Sequence, residues 1–63
     1  MILIELVGGP HDGYRMEVRM DTVLIQMPRP VSDEVMVMDV YEPRKCCRGG
    51  AWLFDYKPNV VVV

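Results

Sequence analysis

The sequence predicts an all-β fold, a small antiparallel sheet of five to six strands curled into a partly open barrel or roll. Three observations carry this. The apolar runs are short and rich in β-branched or aromatic residues, Gly or Pro separates most of them, and the cleanest pattern in the chain has period two. Short strands punctuated by such turns suit a sheet that curls onto itself.

Met1 to Val7 is an aliphatic run ending at glycine, with Glu5 its only charge. It is too short for an ordinary helix and reads as a strand. Ile2, Ile4 and Leu6 share one face; Leu3, Glu5 and Val7 share the other. Val7-Gly8-Gly9-Pro10-His11-Asp12-Gly13-Tyr14 follows and is the strongest turn signal in the chain. Glycines admit positive φ, proline fixes its own φ, and Asp-Gly favours reversal, so a wide β-hairpin is expected, with positive φ at Gly8, Gly9 or Gly13. His11 as a base or ligand, with Asp12 as its partner, is weighed against a purely geometric loop, and geometry is preferred. No Gly-Lys-Ser/Thr ending follows, so a phosphate loop is excluded.

From Tyr14 to Asp21, Tyr14, Met16, Val18 and Met20 alternate with Arg15, Glu17, Arg19 and Asp21. This is the mark of a half-buried antiparallel strand. Val23 to Met27 forms a further strand, which Pro28-Arg29-Pro30 is expected to stop, since neither proline donates to a ladder. Ser32 or Asp33 could cap a helix, but the β-branched residues from Val35 to Tyr41 favour a strand. Pro43 is expected to end it, with Gly49-Gly50 reversing the chain. Trp52, Phe54 and Tyr56 then line one face of a strand and form the main wall of the core, joined by Tyr41 and Tyr14. Pro58-Asn59 breaks this strand before the run from Val60 to Val63, which is read as a short terminal strand.

At 63 residues the chain is a single domain, 1–63. A domain of about 60 residues hides only ~60% of its unfolded surface, so a deep enzyme cleft is not expected. The net charge of −2 gives no general attraction to nucleic acid or anionic lipid. No apolar run approaches a membrane span and no signal-peptide pattern opens the chain, so a soluble cytoplasmic protein without membrane contact is expected.

Cys46 and Cys47 are adjacent, a spacing that disfavours both a disulfide and a zinc knuckle. Two reduced thiols are the plainer reading. Arg44, Lys45 and Arg48 would favour a thiolate there and leave a redox role open. No metal, cofactor or catalytic residue is expected. The same Arg44, Lys45 and Arg48 form the only basic cluster. Set beside Trp52 and Tyr56, they outline a surface for single-stranded nucleic acid. Six methionines are many for this length. Met36 and Met38 make the strand from Val35 apolar on both faces, which suits an adaptable protein-binding surface.

Glu5-Leu6-Val7-Gly8-Gly9-Pro10-His11-Asp12-Gly13, followed by an alternating strand, resembles the Gly-Gly-Pro-x-Asp-Gly opening of small uncharacterised bacterial and bacteriophage proteins. A tyrosine-bearing strand and a terminal aromatic strand follow there too. The resemblance covers about nine residues and implies no activity. The expected function is a non-enzymatic interaction or structural module, of phage or mobile-element origin. It binds a protein partner or itself through an apolar strand face, with Met36, Met38, Arg44, Lys45 and Arg48 as binding residues. The alternative is a single-stranded nucleic-acid-binding small barrel using the Arg44/Lys45/Arg48 loop. The valine tail and the Met36/Met38 face together predict a homodimer or hetero-complex.

Overall fold

The computed structural model describes residues 1–62, with side chains through Pro58. Five strands form one mixed sheet curled through 282° into a half-barrel. They are β1 (Ile2–Val7), β2 (Arg15–Val18), β3 (Ile25–Pro30), β4 (Met36–Arg48) and β5 (Ala51–Val62), in the spatial order β2-β1-β5-β4-β3. Three neighbouring pairs are antiparallel, and β1–β5 is parallel. Strand direction reverses four times between β1 and β5, so the first and last strands run the same way. Placing them side by side therefore requires one parallel pair in a sheet otherwise expected to be antiparallel. Among the described residues no helix is long and apolar enough to cross a membrane.

The concave face carries the core. Ile4, Leu6, Val18, Ile25, Tyr41 and Phe54 are buried together, with Ile2, Met16, Met27 and Tyr56 packed against them. The Ile2/Ile4/Leu6 face of β1 and the Met16/Val18 face of β2 are thus the inward ones, as alternation predicts. Tyr14 does not join the aromatic wall. It lies just before β2 and is 52% exposed. Met20 lies beyond the end of β2 and is 76% exposed.

β2 ends at Val18, short of Asp21, and β3 begins at Ile25, not Val23, while three expected strand breaks do not occur. Pro28 and Pro30 do not stop a ladder; both lie within β3, paired with Met38 and Met36. β3 is an edge strand, and the two prolines are two residues apart, so their nitrogens share one side. Turning that side outward costs no ladder bond and blocks further strand addition at the edge. Pro43 likewise does not end β4. The strand continues to Arg48 through a register shift between Pro43 and Cys47, with Lys45 in the left-handed region at φ 64°. Gly49 and Gly50, both at positive φ, then make a two-residue hairpin turn between the paired Arg48 and Ala51. Finally, the expected break at Pro58-Asn59 is a second register shift. β5 runs on to Val62, with Val61 paired to Met38 and Val62 to Val37. The terminal run is therefore the end of β5 rather than a sixth strand. Val63 lies outside the described residues.

Candidate functional site

The half-barrel has two dissimilar ends. The β1–β2 loop folds across one of them. Gly13 N–H donates to Leu6 O at 2.7 Å and Leu6 N–H to Tyr14 O at 2.8 Å, which closes the wide hairpin. Within it, Gly9–His11 form a short 3-10 turn, and Gly8, Gly9 and Gly13 all take positive φ, as the sequence predicts. Gly9 is required on a further ground. A Cβ there would lie 2.5 Å from Tyr56 Cγ and 2.9 Å from the Tyr41 hydroxyl. The loop backbone rests directly on two core tyrosines, an approach only glycine permits.

That contact positions the polar groups at this end. The Tyr41 hydroxyl donates to Gly8 O at 2.8 Å and accepts from His11 N–H at 3.1 Å. Burial pushes the Tyr41 hydroxyl pKa up. Asp12 is not the partner of His11; its carboxylate accepts from Gly8 N–H at 2.6 Å and shapes the loop. His11 instead reaches Asp39, with Nε2 3.0 Å from Oδ2. Arg29 completes the cluster, donating through Nε at 2.8 Å and Nη2 at 3.1 Å to the two oxygens of Asp39. Asp39 is only 1% exposed. The Arg29 guanidinium, helped by His11 and opposed by burial, holds its carboxyl below the usual carboxylate range. An ionised carboxylate can only accept, so His11 Nε2 carries the hydrogen. The His11 ring bonds Asp39, and the Tyr41 hydroxyl bonds main-chain groups of Gly8 and His11. This arrangement fastens the loop.

The other end is open. Beyond Phe54, the concave face continues to Trp52, paired on one side with Ile4 and on the other with Cys47. The facing of this strand is as expected, with Phe54 buried and Tyr56 half-buried. Trp52, however, is not core; it is 45% exposed. β2 has ended at Val18, and the link from Arg19 to Leu24 does not cover the indole. A cleft of about 520 Å³ remains, lined by Ile2, Met20, Pro43, Lys45, Trp52 and Phe54 among others. Such a volume falls within the usual size range of small-ligand sites.

The expected binding residues are dispersed around the sheet. Met36 is exposed and Met38 half-buried on the convex face of β4. Arg44 holds Asp55 through Nε at 2.9 Å, and Arg48 holds Glu5 at 2.7 Å. Arg48, with Arg15 on its other oxygen, keeps the Glu5 carboxyl below its ordinary range, and Arg44 does the same for Asp55. The basic cluster is therefore divided. Two of its members neutralise carboxylates, and Lys45 alone faces the cleft. Cys46 and Cys47 are free and exposed thiols.

Sequence reasoning missed Asp39 and Trp52's exposure. The first had a signal: period two along β4 places Asp39 with Val37 and Tyr41 on the buried face, and a buried carboxylate needs partners. The second had none, since nothing local says where a curled sheet stops being covered. Compared with family models, curated proteins and solved structures, the chain matches none.

Proposed function

We propose that this chain is a non-enzymatic interaction module that takes an apolar segment of a partner protein at the open mouth of its half-barrel. The observation that carries the reading is Trp52, almost half exposed over a cleft walled by Met20, Ile2 and Pro43. Tryptophan at the centre of a pocket is a recurrent anchor of protein interfaces, and methionine adapts to varied partners. The closed end supports the same division of labour, because its charged groups are engaged internally and tie the loop to β3 and β4. A phage or mobile-element setting belongs to the same proposal. Self-association through Met36, Met38 or the mouth is its homotypic form.

Affinity capture from a bacterial lysate, with quantitative comparison of wild type and Trp52→Ser, tests it. The expected result is a small set of proteins retained by wild type and lost with the variant, at unchanged circular dichroism. Retention indifferent to Trp52 would end the reading. A second reading, single-stranded nucleic acid, has one observation in its favour: Trp52 shares its cleft with Lys45, so a base could stack beside a cation. Engagement of Arg44 and Arg48 by carboxylates weighs against it.

A further inference from the structure

Seven lysines and arginines stand in the sequence. Six are within ion-pair distance of a carboxylate: Arg15 and Arg48 on Glu5, Arg19 on Asp21, Arg29 on Asp39, Arg44 on Asp55, and Lys57 on Glu42. Among the described residues, Lys45 has no such partner. In a chain of net charge −2, carboxylates outnumber cations, so a cation left without one is a local feature of the site. Lys45 is also the single non-glycine residue at positive φ among the described residues. That conformation is uncommon for a lysine and is imposed by the register shift between Pro43 and Cys47. Outliers of this kind cluster at functional sites. The same shift puts Lys45 on the lining of the cleft with Trp52 and Met20.

Resting on the mouth as the docking site, we propose that the segment it accepts is acidic as well as apolar, with one carboxylate next to an aliphatic or aromatic side chain. The apolar side chain lies against Trp52 and Met20, and the carboxylate meets the Lys45 ammonium. Charge complementarity selects this occupant. The cleft offers a single unengaged cation, which suits one carboxylate and falls short of the row of cations that tracks a nucleic-acid backbone.

Two dyes of similar shape isolate the charge. Anilinonaphthalene sulfonate carries one negative charge, and phenylnaphthylamine carries none. Each is titrated by fluorescence into the intact chain as wild type, Lys45→Gln, Lys45→Arg and Trp52→Ser. The anionic dye is expected to bind wild type about five- to tenfold more tightly than the neutral dye, the range of a partly exposed charged contact. Lys45→Gln should erase that preference while leaving the neutral dye unchanged, Lys45→Arg should retain it, and Trp52→Ser should weaken both dyes. Equal binding of the two dyes, indifferent to Lys45, would overturn the acidic preference and leave the docking site standing. Binding of neither would overturn both. An array of short apolar peptides, each made with Glu and again with Gln, identifies the occupant. Retention of the Glu forms by wild type but not by Lys45→Gln supports a protein segment. Lys45-dependent binding of oligothymidylate with no peptide retained would overturn it.

Discussion

The two ends of the half-barrel are built from similar residues and behave in opposite ways. Each has aromatic residues on the concave face and a glycine-containing turn: Tyr41, Tyr56 and Gly9 at one, Phe54, Trp52 and Gly49-Gly50 at the other. At the first end the turn folds inward. Gly9 sits on Tyr56, Tyr41 binds the loop backbone, and His11 is held by Asp39, which Arg29 holds in turn. At the second end the two-residue turn leaves Trp52 45% exposed, and Gly49 lies near the Arg15 guanidinium instead of the indole. The longer loop packs on the concave aromatic residues and the short turn does not. Where each turn lies thus decides which aromatic residues are core and which are surface.

The sharpest way to break the comparison is to truncate one aromatic residue at a time. Phe54→Ala removes a fully buried ring and should cost about 3–5 kcal/mol. Trp52→Ala, although it deletes more atoms, should cost only ~1–2 kcal/mol, because nearly half its surface already meets water. At ~0.05–0.15 kcal/mol per residue the whole domain holds roughly 3–9 kcal/mol, so the first variant should be largely unfolded and the second folded. Urea denaturation followed by circular dichroism checks this. A Trp52→Ala variant as unstable as Phe54→Ala would mean the mouth is closed in solution.

Glycine substitutions probe the closed end. Gly9→Ala combines positive φ with a Cβ set against Tyr56 Cγ, an atom too near its own backbone to swing away. A loss of about 2–4 kcal/mol is expected. Gly13→Ala has similar φ but nothing within 4 Å of the added Cβ, so it should cost only ~1–2 kcal/mol. Equal losses in denaturation midpoint would mean that backbone strain, not contact with the tyrosines, makes Gly9 necessary.

Asp39 gives the closed end its pH dependence. Asp39→Asn removes the charge and leaves one acceptor oxygen, with an NH2 turned toward donors of Arg29 or His11, and should cost about 2–3 kcal/mol, less than a fully enclosed pair because Arg29 is partly exposed. The carboxyls of Asp39 and Glu5 titrate below their ordinary values in the folded chain, chiefly through Arg29 and Arg48. A depressed folded pKa contributes stability that is complete above the unfolded value, near pH ~4, and is lost as pH falls through the folded value. The denaturation midpoint should therefore hold through neutral pH and drop in acid, with a shallower drop in Asp39→Asn. An identical acid profile in the two proteins would remove Asp39 from the account.

Much of this architecture was legible in the sequence, for stated reasons. Alternation in β1 and β2 placed Ile4, Leu6, Met16 and Val18 inward, and the glycine-rich stretch announced its hairpin. What escaped was long-range. The prolines of β3 are compatible with a ladder only because β3 is an edge, and edge position is a property of the whole sheet. The division of Arg44, Lys45 and Arg48 depends on Asp55 and on Glu5, the latter some 43 residues from Arg48. A cluster of cations in sequence is a free patch only if no carboxylate is folded against it, and only the tertiary structure decides that.

The smallest expected effect separates structure from use at the open end. If the left-handed conformation of Lys45 is strained, Lys45→Gly should relieve it and stabilise the domain by about 1 kcal/mol, since no carboxylate contact is lost in exchange. Removing one cation also makes the net charge more negative, which mildly opposes the gain and is screened by salt. The measurement is therefore best made in moderate salt, against Lys45→Gln as a charge-matched control that keeps the strain. A more stable Lys45→Gly variant with weakened anionic-dye binding would mean that the native chain keeps a strained lysine at its mouth at the expense of stability. That is the pattern expected of a residue kept for binding. Equal stability of the Gly and Gln variants would show instead that the bulge holds this conformation without strain.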